Sequence, residues 1–225
     1  MKITPEIARE MRQQAVRNQD MLRRSYDDLN KIAQKGQILF TGSSLMEQFP
    51  VNEIAMSMGI TKTIYNRGIG GTTTDDFLAH IGTVLLDLEP SKVFINIGTN
   101  DIHQREDGEP WQAHLLKNYR RILEILKEKL PQTEVYMMAY YPINADLPDA
   151  PEWTKAALRT RSNEALNDTN GKLAALAQEM GCRFIDCNAG IKDEQGRQKA
   201  EFSKEGMHMY PAAYIQVFKA LRQYL

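Results

Sequence analysis

Apolar residues along this chain fall into two alternating patterns. Short continuous runs, such as Ile38-Leu39-Phe40 and Val93-Phe94-Ile95, are separated by longer stretches where apolar positions recur every three or four residues. The first pattern marks buried strands and the second amphipathic helices. Strands are predicted at Gln37–Thr41, Thr61–Asn66, Lys92–Ile97, Glu134–Tyr140 and Arg183–Asp186. Between them the spacing predicts helices over Asn52–Met58, Thr74–Asp87, Trp111–Leu130 and Glu152–Met180, the last broken at Asn170-Gly171. A final helix over Pro211–Leu225 closes the chain.

Five strands joined by helical crossovers predict an α/β fold with a parallel sheet covered on both faces. One element lies outside this alternation. Pro5 to Lys35 carries Ile7, Met11, Leu22, Tyr26 and Leu29 at mostly helical spacing and stops at Gly36. Residues 1–36 thus form a helical extension and residues 37–225 the main domain. The extension either covers a sheet face or edge, or acts as a dimer arm or a lid.

Composition narrows the class. A chain of 225 residues with 42% apolar and 25% charged residues suits one globular domain. Its net charge of -1 creates no field favouring nucleic acid or an anionic membrane, and neither is expected as a partner. No stretch approaches the roughly 18 apolar residues of a membrane span, and the N-terminus carries no apolar signal segment. Cys182 and Cys187 sit an odd number of residues apart in one predicted strand, hence on opposite faces. A reduced, cytoplasmic protein is the simplest expectation.

Candidate chemistry concentrates where strands end, because ligands of a parallel sheet bind at the carboxyl edge. Gly42-Ser43-Ser44 follows the first strand, and Ser44 sits where free backbone N–H groups can face an anion. A serine nucleophile needs a base and an oxyanion hole. The common nucleophile elbow requires glycine two residues to either side, and Met46 breaks that pattern. Of the four histidines, His80 and His114 fall inside predicted helices and read as packing or surface residues. His103 follows Asp101, but no cluster of metal-ligand spacing accompanies the pair. His208 lies in a loop before the last helix, and Glu205 three residues earlier can turn back onto its Nδ1. Gly68-Ile69-Gly70-Gly71 lacks the third glycine of a dinucleotide fingerprint and follows the wrong strand for one. Gly71 can instead supply an oxyanion N–H, and Asn100 an amide donor.

In this order, Gly42-Ser43-Ser44, Asn66 to Gly71, Gly98-Thr99-Asn100-Asp101 and Glu205-Gly206-Met207-His208 resemble the four blocks of the SGNH (GDSL-type) hydrolase family. The resemblance runs from Ile38 to Tyr214 and implies a flavodoxin-like three-layer α/β/α sandwich with ester hydrolase activity. It implies Ser44 as nucleophile, His208 as base, and an oxyanion hole of Ser44 N–H, Gly71 N–H and the Asn100 amide. It implies a small-molecule ester substrate; the cytoplasmic expectation and the polar, aromatic Tyr140–Asn144 segment favour short acyl groups on a polar alcohol such as a carbohydrate. The alternatives are a lysophospholipase or longer-chain lipolytic esterase, and a non-catalytic flavodoxin-like binding module whose serine is only a turn residue. No cofactor or metal is expected. A homodimer through the N-terminal helix is the default assembly. The chain departs from the family at Ser43, where Asp is usual, and at Glu205, where the triad acid is usually Asp.

Overall fold

A computed structural model describes residues 4–148 and 150–225. Helix α1 (Pro5–Asn30) leads into β1 (Ile38–Gly42), then α2 (Ser44–Glu47), α3 (Val51–Ser57) and β2 (Ile64–Asn66). Helices α4 (Thr74–Ala79) and α5 (Ile81–Val84) precede β3 (Lys92–Asn96), and α6 (Trp111–Lys129) precedes β4 (Glu134–Met138). Helices α7 (Glu152–Leu158) and α8 (Asn163–Met180) lead to β5 (Arg183–Ile185), and α9 (Pro211–Leu221) ends the fold. The five strands pair in the order β2-β1-β3-β4-β5, all parallel.

Alternation along the strands assembles two cores. Leu39, Val93, Ile95 and Met137 face α6 and α8 through Leu115, Tyr119, Ile122 and Leu173. Their neighbours Ile38, Phe40, Phe94 and Tyr136 face α3 and α9 through Ile54, Tyr214, Val217 and Phe218. Register places Phe40, Phe94 and Tyr136 side by side, and their rings stack with centroids 4.7 Å apart across three strands. Fully burying one such side chain stabilises by about 1.5–3 kcal/mol, so this ladder pins the three central strands β1, β3 and β4 together.

Some boundaries differ from those the sequence predicts. The helix expected over Thr74–Asp87 breaks at His80, which leaves helical geometry at φ -123°, and finishes as a 3-10 turn over Leu86–Leu88. The long fourth helix breaks before Asn163, not at Asn170-Gly171. Ser162 caps α8 by accepting from the Ala165 N–H. Asn170 stays helical because its side-chain oxygen accepts the Tyr140 N–H at 2.8 Å. The N-terminal helix ends at Asn30, short of Gly36. Cys182 and Cys187 flank the short β5, and as expected they pack on opposite faces as free thiols.

Candidate active site

The carboxyl ends of β1, β2 and β3 carry the candidate residues together. Gly42 ends β1 with φ +151°, and any Cβ there would overlap the Asn96 carbonyl oxygen. The chain can therefore pass close to β3 and turn at once into α2, which begins with Ser44. Ser44 Oγ lies 2.9 Å from His208 Nε2. On the other side of the ring, Nδ1 lies 2.5 Å from Glu205 Oε1, and the same oxygen accepts the His208 backbone N–H at 3.1 Å.

The loop carrying this pair is tied down along its length. Gly206 N–H donates to Ser203 Oγ at 2.8 Å, and Lys204 N–H donates to the His208 carbonyl at 2.9 Å. The Gly206 carbonyl accepts the Asn144 N–H at 2.8 Å. In the segment expected to shape the pocket, Tyr140, Tyr141, Ile143 and Asn144 are buried, and Asn144 is the one that holds the histidine loop through Gly206. Burial is the largest single influence and works against charge on Glu205, but the side-chain and backbone hydrogen bonds from His208, its charge and that of Lys204 together outweigh it and hold the carboxyl below its ordinary value. Glu205 is thus an anion facing the imidazole, and the longer side chain reaches Nδ1 as an aspartate would.

Two backbone N–H groups and one side-chain amide at these strand ends keep a hydrogen unspent. Among the described residues, no acceptor takes the Ser44 or Gly71 N–H. Gly71 adopts φ +74°, a conformation open to glycine at little cost. A Cβ on its neighbour Gly70 would stand 3.4 Å from Ser44 Cβ, so the glycine loop lies against the serine. Asn100 Nδ2 donates to the Thr72 carbonyl at 2.9 Å, which leaves its second N–H unspent. Such a set of donors beside a hydrogen-bonded Ser–His pair can hold a tetrahedral oxyanion.

His103 and His114 lie outside the Glu205–His208–Ser44 line of contacts. His103 is exposed, its Nδ1 3.0 Å from the Asn100 carbonyl, and no group of three or more His, Cys, Asp or Glu with metal-holding geometry exists among the described residues. His114 is buried, with Nδ1 2.7 Å from Glu109 and Nε2 2.9 Å from Asp75. Burial opposes its charge, but these two carboxylates raise its pKa. Asp75 also accepts from Asn118, which donates in turn to Thr74, and Thr74 holds the buried Asp101 beside Asn100. This network braces the asparagine turn. Its members are scattered from Thr74 to Asn118, and nothing in local spacing announced it.

Residues 48–214, well over half of the chain, match the model of the GDSL-like Lipase/Acylhydrolase family. A Streptococcus pneumonia structure described as "a putative platelet activating factor" superposes with TM-score 0.85 at 29% identity, covering 98% of this chain and 99% of that one. Axe2, an acetylxylan esterase from Geobacillus stearothermophilus, shares the fold at TM-score 0.61 and 17% identity, over 84% of this chain and 94% of its own. The curated "Uncharacterized lipoprotein YqeF" of Bacillus subtilis is 25% identical over 174 residues, 71% of this chain and 72% of that protein. The chain belongs to the GDSL-like lipase/acylhydrolase family and is a serine ester hydrolase of the SGNH fold. The family match begins beyond Ser44, so the serine's place in the site rests on its contact with His208.

Proposed function

We propose that the protein hydrolyses short-chain acyl esters of a polar alcohol, acetylated carbohydrates foremost, through an acyl-enzyme on Ser44. The observation that carries the mechanism is the continuous line from Glu205 through His208 to Ser44, with contacts of 2.5 and 2.9 Å. His208 Nε2 takes the hydroxyl proton as Ser44 Oγ attacks the ester carbonyl. Glu205 keeps the other ring proton on Nδ1 and balances the imidazolium that forms. The oxyanion accepts from Ser44 N–H, Gly71 N–H and Asn100 Nδ2. The tetrahedral carbon expels the alcohol, which leaves with the proton from Nε2. Water then gives a proton to the same nitrogen and attacks the acyl-enzyme, and the acid departs as Ser44 regains its hydrogen.

Two observations support a polar, ring-shaped alcohol. A cavity of 330 Å³ lies between the asparagine turn and the end of α7, lined by His103, Arg105, Trp111 and Thr160. An indole beside polar groups suits the face of a sugar ring. The acetylxylan esterase activity named for Axe2 is the same class of reaction on the same fold. A series of nitrophenyl esters from C2 to C12 tests the acyl side, and acetylated xylooligosaccharides test the alcohol. Highest kcat/KM at C8 or longer would overturn the short-acyl reading.

A second reading, hydrolysis of a lysophospholipid-like ester, draws on Arg161. Its guanidinium lies 3.3 Å from the sulfur of Met207, next to the catalytic histidine in sequence. No carboxylate pairs with it among the described residues, and burial lowers its pKa against the pull of Asp101. A desolvated, unpaired cation favours an anionic substrate group such as phosphate. Acyl transfer to an alcohol instead of water uses the same residues and is distinguished by product analysis. We place the enzyme in the cytoplasm, in keeping with its two free thiols, and as a homodimer whose interface uses the exposed Met11 and Val16 of α1.

A further inference from the structure

Helix α1 is not confined to the periphery. Its second half lies on the glycine loop that follows β2. Tyr26 Oη donates to the Gly68 carbonyl at 3.0 Å, and Gln19 Nε2 donates to the Gly70 carbonyl at 2.8 Å. These side chains are two helical turns apart and share one face. A third contact continues the row, as Asn30 Oδ1 accepts Arg67 Nε at 2.9 Å. Arg67 is buried, its guanidinium 4.8 Å from the centre of the Tyr26 ring.

The Gly70 contact differs from the others in what it fixes. The Gly70 carbonyl and the Gly71 N–H belong to one peptide group. That group is planar and trans, so its oxygen and its hydrogen point in opposite directions. Holding the oxygen therefore aims the hydrogen. Without such a hold the peptide between two glycines rotates readily, because neither residue has a Cβ to restrict it. The amide of Gln19 is itself oriented. Arg23 Nη2 donates to Gln19 Oε1 at 3.5 Å, which turns Nε2 toward the loop. Gly70 N–H is held from the opposite side by Glu47 Oε2 on α2. Both ends of Gly70 are thus anchored, one by the helix that starts at the nucleophile and one by the N-terminal helix.

We propose that Gln19 is a positioning residue for catalysis: by binding the Gly70 carbonyl it aims the Gly71 N–H at the substrate oxyanion, so the N-terminal extension completes the active site. This rests on Gly71 acting as an oxyanion donor, as proposed above. A donor on a peptide carbonyl also polarises the group and strengthens the hydrogen bond its N–H makes. The effect of losing Gln19 belongs to the transition state, since the substrate carbonyl gains its charge only there.

The test compares Gln19→Met, which keeps the side chain's bulk and removes the donor, with Thr83→Val. Thr83 on α5 donates to Asp27 of α1 at 2.7 Å, so its loss loosens the helix without touching the glycine loop. Both variants are assayed with p-nitrophenyl acetate, and their thermal midpoints are measured. Gln19→Met is expected to lower kcat about ten- to a hundredfold with KM unchanged, while Thr83→Val lowers the midpoint and keeps kcat within about twofold, in line with a positioned oxyanion donor. Equal kcat losses in both variants, or full kcat in Gln19→Met, overturn the proposal. Asn100→Ala separates the two levels of failure. If it loses activity while Gln19→Met does not, only the role of Gln19 falls. If neither loses activity, the oxyanion assignment falls with it.

Discussion

Replacing Glu205 by glutamine isolates the charge behind the catalytic histidine. One oxygen, Oε1, accepts both the imidazole Nδ1–H and the His208 backbone N–H. The amide oxygen of a glutamine can occupy that same place, so the ring keeps its tautomer and its Nε2 lone pair stays on Ser44. What disappears is the negative charge facing the imidazolium of the transition state. Two unit charges about 4 Å apart interact by about 4 kcal/mol at an effective dielectric of 20. At 1.36 kcal/mol per decade this is about a thousandfold in kcat. Glu205→Ala also frees the tautomer and is expected nearer the roughly 10⁴ lost when a triad acid no longer fixes the ring. Steady-state kinetics on p-nitrophenyl acetate near neutral pH, with thermal midpoints as a control on folding, give both numbers. Glu205→Gln within tenfold of the native kcat would refute the argument and leave a Ser–His dyad.

The same carboxylate sets a pH dependence of stability. Its pKa in the folded protein lies below the ordinary value of 4.5, so its ionised form stabilises the fold above that pH and the contribution is lost as pH falls through the folded value. The gap in thermal midpoint between native protein and Glu205→Gln is expected to narrow in acid below about pH 4.5; a constant gap would contradict this. Asn100→Ala is expected to lower kcat at least about a hundredfold with the fold intact, the size of one oxyanion donor. Arg161→Gln should raise KM for a lysophospholipid and leave p-nitrophenyl acetate unaffected if the anionic reading holds; equal effects on both would remove it. Sedimentation of the native chain and of Met11→Glu tests the dimer, which predicts a halved mass for the variant.

The strands were legible because a parallel sheet buried on both faces needs short continuous apolar runs, and Val93 to Ile97 could be little else. The site was legible for a related reason. Strand ends converge, so residues at the ends of Ile38–Gly42, Ile64–Asn66 and Lys92–Asn96 meet whatever their separation in the chain. Glu205 and His208 were paired by proximity in sequence. The missed features share a different character. Gln19, Tyr26 and Asn30 act on partners 37 to 51 residues away, and two of those partners are backbone carbonyls, which no side-chain pattern reveals. The helix break near Ser162 was hidden because Asn170-Gly171 offered the stronger local signal, and a tertiary bond to Tyr140 overrode it. Tyr140 and Tyr141 looked like pocket aromatics, yet their rings fill the two cores on either side of β4.

The central claim is that Ser44 is a nucleophile activated by His208, and covalent labelling tests it most directly. Incubation of the native protein with a fluorophosphonate, followed by peptide mass spectrometry, should place one adduct on Ser44. Labelling should vanish in Ser44→Ala and fall to trace levels in folded His208→Ala. Native protein that stays unlabelled, or an adduct on another residue, would contradict the account.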